Sequence, residues 1–300
     1  MFETILPQKL RRGFTLRRLK KAFRAPSILV RNLRFWWEDE VSPERHIFVM
    51  GPPRSGTTLV KNVLRAHSDI CSVDGETYFF YRRNYAAFRH DAVPDERMKS
   101  LIAQATSDID LFDRFAEEIR QRSDGDIFLE KTPEHALRLA HLTSHYPNAP
   151  FVFVVRDPRD GFRSAKENPA YWDSLPDAHP LQAYAETWCR SVRAYLDLCD
   201  YSQVFLVRYE KFCRDAESKL KSINYFLGLD TQKQQLDPSS YGQTDVSHST
   251  GHQRLRKPIT TDTIGRWRDA LSEKEVDEIE HVAAEEMEEL GYDPQNRQST

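Results

Sequence analysis

The residues best suited to chemistry begin at Gly51-Pro52-Pro53-Arg54-Ser55-Gly56-Thr57-Thr58. Glycines separated by four residues and followed by hydroxyls have the spacing of a phosphate-binding loop. In such a loop, backbone N–H groups and a helix N-terminus hold anionic oxygens. A nucleoside triphosphatase carries Lys directly after the second glycine, to neutralise a transferring γ-phosphoryl and its magnesium. Here that position is Thr57, and the cation lies inside the loop as Arg54. Apolar runs downstream end in Val155-Arg156 and Val207-Arg208, not in the Val-Asp of a metal-holding strand. One Arg, the hydroxyls of Ser55, Thr57 and Thr58, and no Lys suit a dianionic group that leaves less charge to handle.

A loop of this kind works only between a strand that delivers it and a helix that starts from it. Ile47–Met50 is a short apolar run, and Leu59, Val60, Val63 and Leu64 follow at helical spacing. Residues 127–129, 151–155 and 204–207 are unbroken apolar runs, as expected for strands buried on both faces. Helical patterns fall near 134–145, 181–200 and 215–227, the last closed by Gly228. A final helix opens on the capping box Ser272-x-x-Glu275, carries the stripe Val276, Ile279, Ala283, Met287, Leu290, and stops at Gly291. This alternation predicts an α/β fold with a central parallel sheet flanked by helices in three layers.

The motifs, in this order, resemble the sulfotransferases that use 3′-phosphoadenosine 5′-phosphosulfate (PAPS). Pro53-Arg-Ser-Gly-Thr-Thr58, then Ala66-His67, then Gly75-Glu76-Thr77, are similar to the opening of tyrosylprotein sulfotransferases and their bacterial relatives. Glu130-Lys131-Thr132-Pro133 resembles their lysine-containing turn, and Val155-Arg156-Asp157-Pro158-Arg159 with Ser164 their 3′-phosphate motif. Val207-Arg208-Tyr209-Glu210 and Gly291-Tyr292-Asp293-Pro294 are similar too, so the likeness spans roughly 46–295. The stretch before Glu76 is one residue longer than the family pattern.

The resemblance implies a P-loop NTPase-like fold and in-line sulfuryl transfer from PAPS to a hydroxyl, with no metal. Arg54, Ser55, Gly56, Thr57 and Thr58 would hold the 5′ end of the donor. Arg156 and Ser164 would bracket the 3′-phosphate, with Tyr209, Lys257 and Arg266 as further nucleotide contacts. Glu76 would be the general base, its pKa raised by partial burial toward working pH, and Lys131 the acid or electrostatic stabiliser. His67 is the alternative base. Arg82, Arg83 and Arg89 stand ready for an anionic acceptor, and the acceptor is a carbohydrate, lipid, small metabolite or tyrosyl residue.

The chain has 300 residues, 39% hydrophobic and 30% charged, with a net charge of −3, which excludes a disordered chain. No run approaches a membrane span, and Cys71, Cys189, Cys199 and Cys213 have no C-x-x-C spacing. No nucleic-acid partner is expected, and the location expected is cytoplasmic. The charge is uneven: residues 1–34 hold ten Lys/Arg against Glu3, a net +9 that leaves −12 for the rest. Leu16, Leu19 and Phe23 at helical spacing make this a basic amphipathic arm (1–40), joined to a catalytic domain (41–300). The arm fits an anionic membrane surface, the acidic final helix or plain solvent. His141/His145 and His248/His252 have H-x-x-x-H spacing without the Glu of a zinc hydrolase. The competing readings are a P-loop nucleotide kinase or NTPase, which Thr57 opposes, and a non-catalytic module that binds PAPS or a glycan.

Overall fold

In the computed structural model, which describes residues 32, 33, 35, 40–241 and 257–293, burial selects the strands. Ile47–Met50 (β1) is buried at all four positions and lies at the centre of a five-stranded sheet. The others are β2 (Ile70–Ser72), β3 (Ile127–Lys131), β4 (Phe151–Val155) and β5 (Val204–Arg208). The order is β2-β3-β1-β4-β5 and every pairing is parallel. The helices of nine residues or more are α1 (Thr57–Arg65), α2 (Asp95–Gln104), α3 (Asp108–Arg120), α4 (Pro158–Lys166), α5 (Pro180–Leu196), α6 (Ala216–Leu227) and α7 (Glu273–Glu289).

Side chains alternate across the sheet, so each strand feeds two cores. Ile47 and Val49 pack with Val60, Val63 and Leu64 of α1 and with Leu220, Ile223 and Leu227 of α6. Phe48 and Met50 face the other way, onto Phe112 and Phe115 of α3, Trp188 of α5 and Met287 of α7. This second layer is aromatic: Phe48 stacks on Phe151 at 5.3 Å and Phe153 on Tyr195 at 4.8 Å. The three-layer α/β fold is therefore as expected, and because all strands run one way, the five loops leaving their carboxyl ends gather at one edge.

Some local expectations shift. β3 runs on to Lys131, because Val49 of β1 pairs with it in register. The helix expected over 134–145 divides into a 3-10 turn, Pro133–Arg138, and a short helix, Leu139–His145. The three-residue edge strand β2 and the helices α2 and α3 carry no motif and were not anticipated. The final helix has the reciprocal capping box, Ser272 accepting from the Glu275 amide while Glu275 accepts from the Ser272 amide at 2.9 Å. Most of the basic arm lies outside the described residues, as do His248 and His252. Phe35 is fully buried 5.8 Å from the Tyr85 ring, and Asn32 bonds Asn84 and the Ala86 amide. Among the described residues, no helix is long and apolar enough to cross a membrane, and no cluster of three metal-ligating side chains occurs.

Candidate active site

The loop after β1 is held open by its glycines. Gly51 has φ +152°, and a Cβ there would lie 2.0 Å from the Val154 carbonyl oxygen of β4. Gly56 has φ +92°, and its Cβ would strike the Tyr209 ring at 2.4 Å. A side chain at either position would break the turn or lift it off its neighbours. Arg54 itself sits at φ 68°. Gly56 is the N-cap of α1 and offers no side-chain cap, and the first turn has no acid. The helix therefore presents uncapped N–H groups and the positive end of its dipole. Thr57 is buried and Thr58 half-buried beside them.

Arg54 reaches across to α4, donating from Nε and Nη2 to Ser164 Oγ at 3.3 and 3.2 Å. Arg156, at the end of β4, lies 4.5 Å over the Tyr209 ring and donates from Nη2 to the Thr263 carbonyl. The Tyr209 hydroxyl meets Thr263 Oγ1 at 2.8 Å. Asp160 fastens the same segment by accepting from the Gly265 and Trp267 amides at 2.6 and 3.0 Å. Tyr209 is thus the hinge point between the Gly56 turn, Arg156 and the 263–267 loop. Two buried donors here, Ser55 Oγ and Arg156 Nε, have no hydrogen-bond partner among the described residues. An anionic ligand supplies acceptors of the kind both lack. Arg266 belongs to the same loop, half-buried, while Lys257 is exposed.

Lys131 and Glu76 meet in an ion pair, Nζ to Oε1 at 2.7 Å, across 55 residues of sequence. The Lys131 side chain is 3% exposed and that of Glu76 23%. The pairing settles the position of the lengthened stretch before Glu76. Lys61 of α1, fully buried, donates to the Gly75 carbonyl at 3.4 Å and steadies that stretch from below. The expected upward pKa shift of Glu76 is corrected here. Burial does push the carboxyl up. The Lys131 ammonium and the hydrogen bonds from Lys131 and Tyr78 outweigh it, and the carboxyl is held below its ordinary value. Burial lowers the Arg54 pKa, and the Glu76 charge is among those that oppose the shift.

Behind this pair lies a network that the motifs did not announce. Glu130 is fully buried and accepts from Thr77 Oγ1 at 2.7 Å, Thr132 Oγ1 at 2.6 Å and His135 Nδ1 at 2.8 Å. His135 Nε2 in turn accepts from the Phe80 amide at 3.2 Å, so both ring nitrogens are bound and Nδ1 is the one that donates to Glu130. Glu130 thereby ties the segment carrying Glu76 to the strand carrying Lys131. The signal was in the sequence, a carboxylate one residue before the lysine, but its partners are tertiary.

Other candidates fall elsewhere. His67 lies at the opposite edge, before β2, with Nε2 on the Asp230 carbonyl at 2.9 Å and Nδ1 accepting from the Asp69 amide. Both ring nitrogens are bound there, and the described contacts do not bring it to the Lys131–Glu76 pair. Arg159 belongs to a structural cluster, bound to Asp157 at 2.8 Å and Glu280 at 2.6 Å. The His141 and His145 rings lie 4.3 Å apart and tilted at 57°, and His145 bonds the Glu40 carbonyl. Cys71, Cys189 and Cys213 are buried and free, and Cys199 is exposed and free.

Every principal candidate therefore hangs from the carboxyl edge of one parallel sheet, where open α/β folds bind ligands. A sequence profile of the sulfotransferase family matches residues 46–233. The chain belongs to the sulfotransferase family. The reaction is sulfuryl transfer from PAPS to a hydroxyl acceptor. A putative protein-tyrosine sulfotransferase of Caenorhabditis briggsae is 29% identical over 262 residues, covering 83% of this chain and 90% of that protein. Protein-tyrosine sulfotransferase 2 of Gallus gallus is 24% identical over 280 residues, covering 83% and 69%. In fold, the sulfotransferase domain of the Synechococcus PCC 7002 olefin synthase is similar, with a TM-score of 0.65 at 20% identity over 85% of this chain and 98% of that one.

Proposed function

We propose that this sulfotransferase works through Glu76 as general base and Lys131 as stabiliser of the leaving group, with PAPS held by the Gly51–Gly56 loop and Arg156. The observation that carries the reading is the 2.7 Å Lys131–Glu76 pair at the mouth of that loop. The acceptor oxygen attacks sulfur in line, its proton passes to Glu76, and the S–O bond to the 5′-phosphate breaks. Lys131 meets the negative charge that develops on the bridging oxygen, and adenosine 3′,5′-bisphosphate leaves. As Lys131 turns to the leaving group its hold on Glu76 loosens. The carboxylate thus gains basicity at the moment it is needed.

The orphaned donors Ser55 Oγ and Arg156 Nε support the 5′ and 3′ phosphate contacts respectively. The protein-tyrosine sulfotransferase relatives support a tyrosyl acceptor. Arg82, stacked 4.2 Å over the Tyr78 ring next to Glu76, supports an acceptor bearing negative charge. Label transfer from PAPS to acidic tyrosyl peptides, saccharides and phenols tests this, with Lys131→Ala and Glu76→Gln as controls. Loss of transfer with adenosine 3′,5′-bisphosphate binding retained supports the roles, and full rate in Glu76→Gln overturns Glu76 as base. The basic arm, with its net +9, supports contact with an anionic membrane surface. Equal vesicle sedimentation with and without residues 1–34 removes that contact.

A further inference from the structure

Three glutamates surround Lys131, and the structure treats each differently. Glu76 is in an ion pair, and Glu130 is satisfied by three donors. Glu134 begins the 3-10 turn directly after Lys131-Thr132-Pro133, and its Oε2 is buried with no hydrogen-bond partner among the described residues. A buried carboxylate oxygen without a donor is costly, and it persists where its protonation or its field is used.

What faces Glu134 is the reacting side of the site. The Tyr78 amide donates to Thr132 Oγ1 at 3.1 Å, which holds the segment carrying Glu76 and Tyr78 against the turn that Glu134 enters three residues after Lys131. Tyr171, on the short helix Pro169–Trp172, is within electrostatic reach of Glu134, Glu76 and Arg54. The Tyr78 hydroxyl is hydrogen-bonded to Glu76 while it feels the Glu134 charge, which links the two carboxyls through one side chain.

We propose that Glu134 is a second carboxyl of this site, a positioning residue that shares the field of Lys131 with Glu76 and keeps Glu76 basic enough to take the acceptor proton. The inference rests on Glu76 being the base. Two carboxyls beside one ammonium titrate as a coupled unit. Burial first, and then the Glu76 charge, push the Glu134 carboxyl up to about 7, against its own backbone amide and Lys131. Above neutrality Glu134 is ionised, its charge opposes that of Lys131, and Glu76 is the better base. Below neutrality it is protonated and Lys131 alone governs Glu76.

Infrared titration of the full-length protein tests the pair without an acceptor. A carboxylic C=O band should grow as pH falls through neutrality and be missing from Glu134→Gln. Coupling is reciprocal, so the band should appear only at lower pH in Glu76→Gln, where the neighbouring charge is gone. If no such band is lost in Glu134→Gln, or if the band does not move in Glu76→Gln, the proposal fails. With labelled PAPS and an acidic tyrosyl peptide, Glu134→Gln should lower kcat about three- to tenfold at pH 8 and little at pH 6. Glu134→Asp should restore the pH step, and binding of adenosine 3′,5′-bisphosphate should be unchanged. A kcat–pH profile of Glu134→Gln that overlays the wild type overturns the inference. A Glu76→Gln enzyme that keeps full rate overturns the base assignment instead, and leaves the titration result standing.

Discussion

Lys131 and Arg159 are both buried cations at the carboxyl edge of the sheet, with side chains 3% and 4% exposed, yet their surroundings differ in kind. Arg159 is saturated. It makes two bonds to Asp157, at 3.0 and 2.8 Å, one to Glu280 at 2.6 Å and one to the Asp293 carbonyl, and lies 4.1 Å over the Trp267 ring. Among the described residues, the Lys131 ammonium bonds a single carboxylate oxygen of Glu76. Burial is the same in both, so burial does not separate structural from chemical charge. Completeness of bonding does: a saturated cation has nothing left to offer a substrate, whereas a lysine with one partner can exchange it.

This contrast can be broken by exchanging readouts. Arg159→Ala should be the larger loss in stability, about 3–5 kcal/mol, because it strands Glu280 and Asp157 in the interior. A thermal midpoint within a degree or two of wild type would show that the cluster is not structural. Lys131→Ala should lower transfer about 10²–10³-fold, roughly 2.7–4 kcal/mol of transition-state stabilisation. The more exposed Glu76 can hydrate, so the midpoint should move little, and a large melting shift with normal rate would reverse the comparison. Arg156→Ala removes charge-assisted bonds worth about 1.5–3 kcal/mol. Calorimetry should find adenosine 3′,5′-bisphosphate binding weakened about ten- to hundredfold with the fold intact.

The smallest effect is on acid stability. The folded Glu76 pKa is depressed, so its contribution is present above the ordinary carboxyl range, near 4.3, and is lost as pH falls through the folded value. Glu76→Gln should therefore flatten part of the acid limb of unfolding, and an unchanged limb would show that the pair adds nothing to the fold.

Legibility followed distance along the chain. The Gly51–Thr58 loop could be read because its parts are consecutive, and Arg156 and Lys131 because each sits in a short motif that resembles the family's. The same rule left Glu134 unread: a Glu after Lys-Thr-Pro looks like any surface acid until Glu76 and Tyr78 are folded against it. The upward shift expected for Glu76 failed for the same reason, since burial was anticipated and its cation was not. Glu130 and Tyr209 act through contacts 53 and 54 residues away, with Thr77 and Thr263, and spacing carries no trace of either.

The sequence by itself determined the parallel α/β sheet, the anion-binding turn after β1 and the types of residue at each strand end, because local periodicity and turn chemistry act over a few neighbours. Only the tertiary structure decided which of those residues share a charge. Electrostatic partnership depends on a few ångströms across separate strands, and at the Lys131 cluster that distance leaves Glu76 in an ion pair, Glu130 held by three donors and Glu134 with a buried oxygen that has no donor among the described residues.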